Sequence, residues 1–187
     1  LNGTPPQSMA NFMSIEMSEH RYPLRFRHYA IREDSGGAGR YRGGCGTSYS
    51  FEADSNLSVS VLGDRVDYRP FGTAGGKAAA ANEVKFRVGN QEIVPPMRSK
   101  YEKQLLSAGD ALIACSPGGG GFGNPLERET EAVERDLNLG YVSRESAERD
   151  YGVVIAEARQ VGERTRYRLD VAATERRRQQ LRASGKA

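Results

Sequence analysis

The sequence predicts an α+β fold in which a β-rich body is followed by short carboxy-terminal helices. Three observations carry this: runs of residues in which apolar and polar side chains alternate, 22 glycines, many of them in loops around those runs, and a change to helical spacing after Gly123. Period-two alternation puts every second side chain on one face of a strand, so a half-buried antiparallel sheet reads as apolar, polar, apolar. Five or six such strands within about 100 residues point to a sandwich or a curled sheet.

The elements follow in order. Residues 1–21 form a lead-in segment in which Thr4-Pro5-Pro6 delays any helix, with a short helix expected over Met9–Met17. A β-rich domain with glycine loops is expected over 22–123. Within it Leu24 and Phe26 alternate with Arg25 and Arg27. Tyr49, Phe51 and Ala53 alternate with Ser48, Ser50 and Glu52. Leu57, Val59 and Val61 are separated by Ser58 and Ser60, and Val84, Phe86 and Val88 by Lys85 and Arg87. The run from Asp110 to Cys115 is continuously apolar after its first residue, the mark of a central strand. Residues 124–155 read as a helical segment. Thr130 is the expected N-cap of a helix that stops at Gly140, and Ser143 caps a second over Arg144–Asp150. Val153-Val154-Ile155 is expected to return as a last strand. Residues 156–187 form a basic arm or helix, with Asp170 as the cap of a helix running through Glu175 to Arg182.

Hydrophobic residues make up only 37% of the chain and the mean hydropathy is -0.64, so part of its burial is expected to come from a partner. The overall charge of +3 is uneven: residues 156–187 hold nine Lys and Arg against four Asp and Glu. Such an arm suits either a nucleic acid or an acidic protein surface. No aromatic platform accompanies the arginines, so nucleic acid is not expected as a partner. Cys45 and Cys115 form no Cys-x-x-Cys pair, and His20 and His28 lack the ligand spacing of a zinc site. A reduced, cytoplasmic setting is therefore expected. No apolar run approaches about 18 residues, so no membrane partner is expected either. The first residue is Leu1, which suggests a fragment, a processed product or a chain whose start is missing.

Three glycine clusters stand out: Asp34–Gly44, Gly72–Gly76 and Gly118–Pro125. A glycine loop can offer backbone N–H groups to an anion, and Arg40 and Arg42 add groups suited to a carboxylate or phosphate. Equally, glycines allow tight turns and close approach of backbones. Asp34–Gly44 is expected to be a tight turn between two strands, with positive φ at Gly36, Gly37, Gly43 or Gly44 and an arginine facing a subunit contact or a substrate cleft. No phosphate-loop or dinucleotide fingerprint fits, and no nucleophile elbow is present. No residue is assigned a catalytic role.

Read in order, several motifs resemble the hydantoinase B/oxoprolinase family. They are Ile15-Glu-Met-Ser-Glu-His-Arg-Tyr-Pro23, then Arg32-Glu-Asp-Ser-Gly-Gly-Ala-Gly-Arg-Tyr-Arg-Gly-Gly44, Asp64-Arg65, the Gly72–Gly76 loop, Ser99-Lys100 and Gly109-Asp110. Gly118-Gly-Gly-Gly-Phe-Gly-Asn-Pro-Leu-Glu-Arg128, Gly140-Tyr-Val-Ser143 and Tyr151-Gly-Val-Val154 complete the set. The resemblance spans roughly residues 13–155. It departs at Phe12-Met13-Ser14, where the family usually has Asn-Thr-Pro, and at Asn124, where it usually has Asp.

The resemblance implies the carboxy-terminal part of a B-type subunit of an ATP-dependent cyclic amide hydrolase, of hydantoinase or 5-oxoprolinase type. Two alternatives are the same part of a biotin-independent, ATP-dependent ketone carboxylase and a non-catalytic assembly module. The implied partners are the amino-terminal part of the B subunit, an A-type ATP-binding subunit and a small cyclic amide or ketone substrate. This chain is expected to bind no cofactor itself and to be inactive alone. ATP with magnesium, and a transition metal as a further candidate, are implied for the full complex, with the family's metal ligands in the amino-terminal part. Candidate substrate-facing or interface residues are Asp34, Gly36, Gly37, Arg40, Arg42, Gly119, Gly120 and Asn124; none is a metal ligand.

Overall fold

The computed structural model describes residues 13–184. They divide into two compact units that interleave along the chain: 13–30, 47–66 and 82–116 form the first, and 31–46, 67–81 and 117–184 the second. The expected helix over Met9–Met17 falls partly outside the described residues. Within them, a helix α1 spans Ile15–Arg21, capped by Ser14, whose hydroxyl accepts from the Met17 amide.

The first unit is the β-rich body. Its strands are β1 (Leu24–Ile31), β2 (Thr47–Ala53), β3 (Leu57–Leu62), β4 (Glu83–Val88), β5 (Gln91–Ile93), β6 (Lys100–Leu106) and β7 (Ala111–Cys115). Five make one sheet in the order β1-β2-β7-β4-β5, and β3 pairs with β6 in a second. The continuously apolar β7 is the central strand, as its composition requires. Pairing with β7 is antiparallel on both sides. Leu112 lies opposite Phe51 on one side and Phe86 on the other, and Ala114 opposite Tyr49 and Val84. The alternation in each strand therefore lines up across three strands, and these rows enter one core with Leu57, Val59 and Val61 of β3 and Leu106 of β6. Phe86 is fully buried. On the opposite face of the larger sheet, Glu52 accepts from Arg27 at 3.2 Å and lies 3.6 Å from Arg87, an exposed ion network of modest energetic value.

The second unit carries the helices: α2 (Thr130–Leu139), α3 (Arg144–Asp150) and α4 (Val171–Ala183), with a hairpin of β8 (Ile155–Val161) and β9 (Arg164–Leu169). Val133, Leu137, Val142, Ala147, Tyr151, Val153 and Leu169 form its core. Thr130 is not the N-cap of α2. Glu129 holds that position without a side-chain hydrogen bond, and Thr130 is already helical and buried. Gly140 ends α2 with φ 71°, and Ser143 and Asp170 cap α3 and α4 through their side chains. The last strand begins at Ile155 rather than Val153 and is half of a hairpin that sequence reading did not anticipate. Asn138 on α2 bonds both backbone groups of Tyr167 in β9, at 2.9 and 3.0 Å, and Glu134 accepts from Leu169.

Part of the arginine-rich stretch turns toward the protein's own backbone. Arg178, 4% exposed, donates to the carbonyls of Tyr151 and Arg128, both at 2.8 Å. Arg177 and Arg182 donate to Val153 and Leu126. Burial holds Arg178 below the ordinary arginine pKa. Among the described residues no helix is long and apolar enough to cross a membrane.

Candidate functional site

All three glycine clusters lie in the second unit and pack on one another. The segment at Gly119–Phe122 runs between the other two and exchanges hydrogen bonds with each. Gly37 donates to the Gly119 carbonyl and Gly119 to that of Gly44, both at 2.9 Å. On the other side Gly121 donates to Lys77 at 3.0 Å and accepts from Thr73 at 2.9 Å. Tyr41 and Phe122 exchange a reciprocal pair.

At most of these glycines the backbones approach so closely that a side chain has no room. A Cβ on Gly37 would lie 2.6 Å from the Gly121 nitrogen, and one on Gly39 would lie 2.6 Å from the Phe122 nitrogen. Close approach of backbones, one of the two readings of these glycines, is therefore what the structure shows, whereas the expected positive φ is not. None of Gly36, Gly37, Gly43 and Gly44 has positive φ; in the first cluster that conformation falls to Asp34, at 57°. Nor is Asp34–Gly44 a tight turn. It is an extended excursion between β1 and β2 whose residues bond to the other glycine segments.

An ion network ties this stack to α2. Arg42 donates through Nε to Asp136 Oδ2 at 3.0 Å, and Arg128 donates to the same oxygen at 2.9 Å. Their side chains are 13%, 5% and 12% exposed for Arg42, Asp136 and Arg128. Arg42 also lies 5.2 Å from the centre of the Tyr141 ring and reaches the Gly43 carbonyl. Burial on its own would lower the pKa of Arg42. The hydrogen bond and charge of Asp136 outweigh it and hold the group above its ordinary value.

Beside the stack is a cavity of about 440 Å³, within the size range of small-molecule sites. The first glycine cluster contributes Asp34, Gly36 and Ala38, and the segment after the second contributes Lys77–Ala80. Arg69 also lines it, and α3 with the residues around it supplies Val142, Ser146, Arg149, Asp150 and Tyr151. Asp150 is bridged by two cations: Lys77 Nζ at 2.9 Å, and Arg149 through Nε at 3.0 Å and Nη2 at 2.8 Å. Burial pushes the Asp150 pKa up, but the hydrogen bonds and charges of Arg149 and Lys77 together bring it below the ordinary aspartate value. Asp34 Oδ1 accepts from the Ser143 amide at 2.8 Å. Tyr151 is 1% exposed, its hydroxyl has no hydrogen-bond partner, and burial pushes its pKa up to about 12.

The structure thus places Asp34 and Gly36 on the cavity wall. Gly37 is buried in the stack, and Arg42 is committed to Asp136. Arg40 is exposed, 5.8 Å from the Tyr41 ring centre and 4.0 Å from Glu127. Gly119 is exposed, and Gly120 packs against the Phe71 carbonyl. Asn124 caps the single turn Pro125–Glu127 by accepting from the Leu126 amide at 2.9 Å, a role an aspartate fills equally well. Sequence reading missed Arg69, Lys77, Arg149, Asp150 and Tyr151; only the position of Lys77, directly after Gly75-Gly76, hinted at a site. Among the described residues no group of three or more His, Cys, Asp and Glu is placed to hold a metal ion.

Comparison with known proteins places this unit in context. The chain is 35% identical over 144 residues to the caprolactamase subunit beta of Pseudomonas jessenii, covering 75% of this chain and 25% of that protein. The crystal structure of the ATP-dependent caprolactamase from the same organism superposes with a TM-score of 0.70 at 30% identity, covering 89% of this chain and 28% of that one. A nucleotide-free structure of acetone carboxylase, described with ATP-dependent acetone carboxylation, superposes with a TM-score of 0.77 at 25% identity, covering 96% and 27%. The chain spans about a quarter of the length of the curated relatives it matches first. The sequence pattern of hydantoinase B/oxoprolinase matches residues 4–125, well over half of the chain, and the chain belongs to that family.

Proposed function

We propose that this chain is the carboxy-terminal part of the B-type subunit of an ATP-dependent cyclic amide hydrolase, of hydantoinase or oxoprolinase type, working in a multi-subunit complex. The observation that carries the reading is the match to a caprolactamase subunit in both sequence and structure, since a caprolactam ring is a cyclic amide. ATP would phosphorylate the oxygen of the amide, which makes its carbon electrophilic enough for water to attack, or the oxygen of the enolate, which holds the ketone as its enol for carboxylation, with ADP released in either case. The part given to this chain is to shape a polar cavity on a rigid support. The glycine stack and the Arg42–Asp136–Arg128 network fix Asp34 and Lys77 relative to α3, which carries Asp150. Rigid positioning of polar groups is what a multi-subunit site requires of such a part.

A second reading, the same part of a biotin-independent ketone carboxylase, is supported by the acetone carboxylase structure, which covers more of the chain at a higher TM-score. Affinity purification of the protein from its native source, with mass spectrometric identification of what accompanies it, tests the common core of both. An A-type ATP-binding chain and the remainder of a B-type polypeptide are expected. A species that turns over cyclic amides without either would overturn the proposal.

A further inference from the structure

We propose that the cavity between the first glycine cluster and α3 is a binding site for a small oxyanion, a carboxylate or phosphate, held by Arg69, Lys77 and Arg149. This stands on the cavity alone and does not depend on the reaction the complex performs. Three cationic side chains line the wall against two carboxylates, Asp34 and Asp150, and the carboxylates already have partners. Asp150 is shared by Lys77 and Arg149, and one oxygen of Asp34 accepts a backbone amide.

The cations retain donors. An ammonium carries three N–H groups and a guanidinium five. Lys77 uses one on Asp150, and Arg149 directs Nε and Nη2 to Asp150 and Ser146. Arg69 is exposed and makes no hydrogen bond or ion pair among the described residues. Asp150 anchors Lys77 and Arg149 in place without exhausting them, and charge-assisted donors gathered in this way select an oxyanion. The rest of the wall includes Gly36 and Ala78–Ala80, whose small side chains leave the volume of about 440 Å³ open.

Isothermal titration of the intact protein with sodium phosphate and with sodium acetate, at constant ionic strength set by chloride, is the test. Saturable binding of at least one anion is expected, and the tighter of the two identifies a phosphoryl or a carboxylate source. The double variant Arg69→Ala/Lys77→Ala should weaken it about tenfold or more, a difference of about 1.4 kcal/mol. Lys77→Arg should retain it, and Arg164→Ala, on β9 and outside the cavity, should leave it unchanged. If the double variant does not fold, Arg69→Gln alone decides, because that exposed side chain has no partner to lose. Absence of saturable binding of both anions to the wild type, or wild-type affinity in the folded variants lacking Arg69, would overturn the proposal.

Discussion

Arg42 and Asp136, 94 positions apart in the chain, meet at 3.0 Å in the second unit, where Arg128 binds the same carboxylate oxygen. Two guanidiniums thus depend on one buried carboxylate. Removing it would strand both charges away from water. Asp136→Ala is expected to destabilise the fold by about 3–5 kcal/mol, the usual cost of breaking a buried pair from one side. Urea denaturation measures this. A loss below about 1 kcal/mol, typical of exposed pairs, would mean the network contributes little.

The glycine stack yields a contrast between neighbouring positions. Gly37→Val would drive a side chain into the Lys77 carbonyl and the Gly121 amide, whereas a Cβ on Gly44 meets nothing within 4 Å. Gly37→Val should therefore cost more than the roughly 1–3 kcal/mol of ordinary overpacking, because the obstacles are backbone atoms. Gly44→Ala should stay within about 0.5 kcal/mol of wild type. Equal melting temperatures for the two variants would contradict the close-packing explanation.

The carboxy-terminal arginines allow a similar comparison. Arg178 is buried and donates to two carbonyls, while Arg176 is exposed. Arg178→Ala should cost at least about 2 kcal/mol, since it orphans buried acceptors of a charged donor, and Arg176→Ala should be near neutral. Thermal melts of the two proteins distinguish a structural arm from a solvated one.

Much of the β body was legible because its chemistry is periodic. Tyr49, Phe51 and Ala53, or Val84, Phe86 and Val88, alternate because one face of each strand enters the core. Caps at Ser143 and Asp170 were legible because their side chains bond the backbone locally. β6 was hidden: Lys100–Leu106 is largely polar, and its pairing with β3 shifts register between Val59 and Val61, where Lys103 adopts φ 58°. The cavity was hidden for a different reason. Asp34, Lys77 and Asp150 come from three separate segments, and nothing local marks them as neighbours. The glycines were visible, and close approach of backbones was one reading of them, but a chain carries no sign of which backbone will lie against it.

Asp150 makes stability depend on acid. Its folded pKa lies below the ordinary value of 3.8. Its contribution is therefore fully present above about pH 4 and is lost as pH falls through the folded value, where the unfolded chain holds a proton that the folded one does not. Lys77→Ala removes one of the groups that depress this pKa, so the variant should lose less stability than wild type between pH ~4 and ~2. Denaturant midpoints across that range check the sign. An unchanged slope would detach Lys77 from Asp150 in solution.

Arg40 has little to lose within its own unit, with an exposed side chain and a marginal contact to Glu127 at 4.0 Å. Arg40→Ala should leave the melting temperature within about 1–2 °C of wild type, consistent with a surface change. If Arg40 faces a subunit or substrate, the same variant should lower turnover or subunit affinity in the complex. Unchanged stability, turnover and affinity would leave it a solvated arginine.

The most direct measurement is turnover by the purified complex supplied with ATP and a lactam or hydantoin, in parallel with ATP, bicarbonate and a ketone. The proposed function predicts ring opening of the cyclic amide coupled to ATP consumption, with the isolated 187-residue chain inactive. Carboxylation of the ketone with no ring opening, or ring opening that proceeds without ATP, would contradict it.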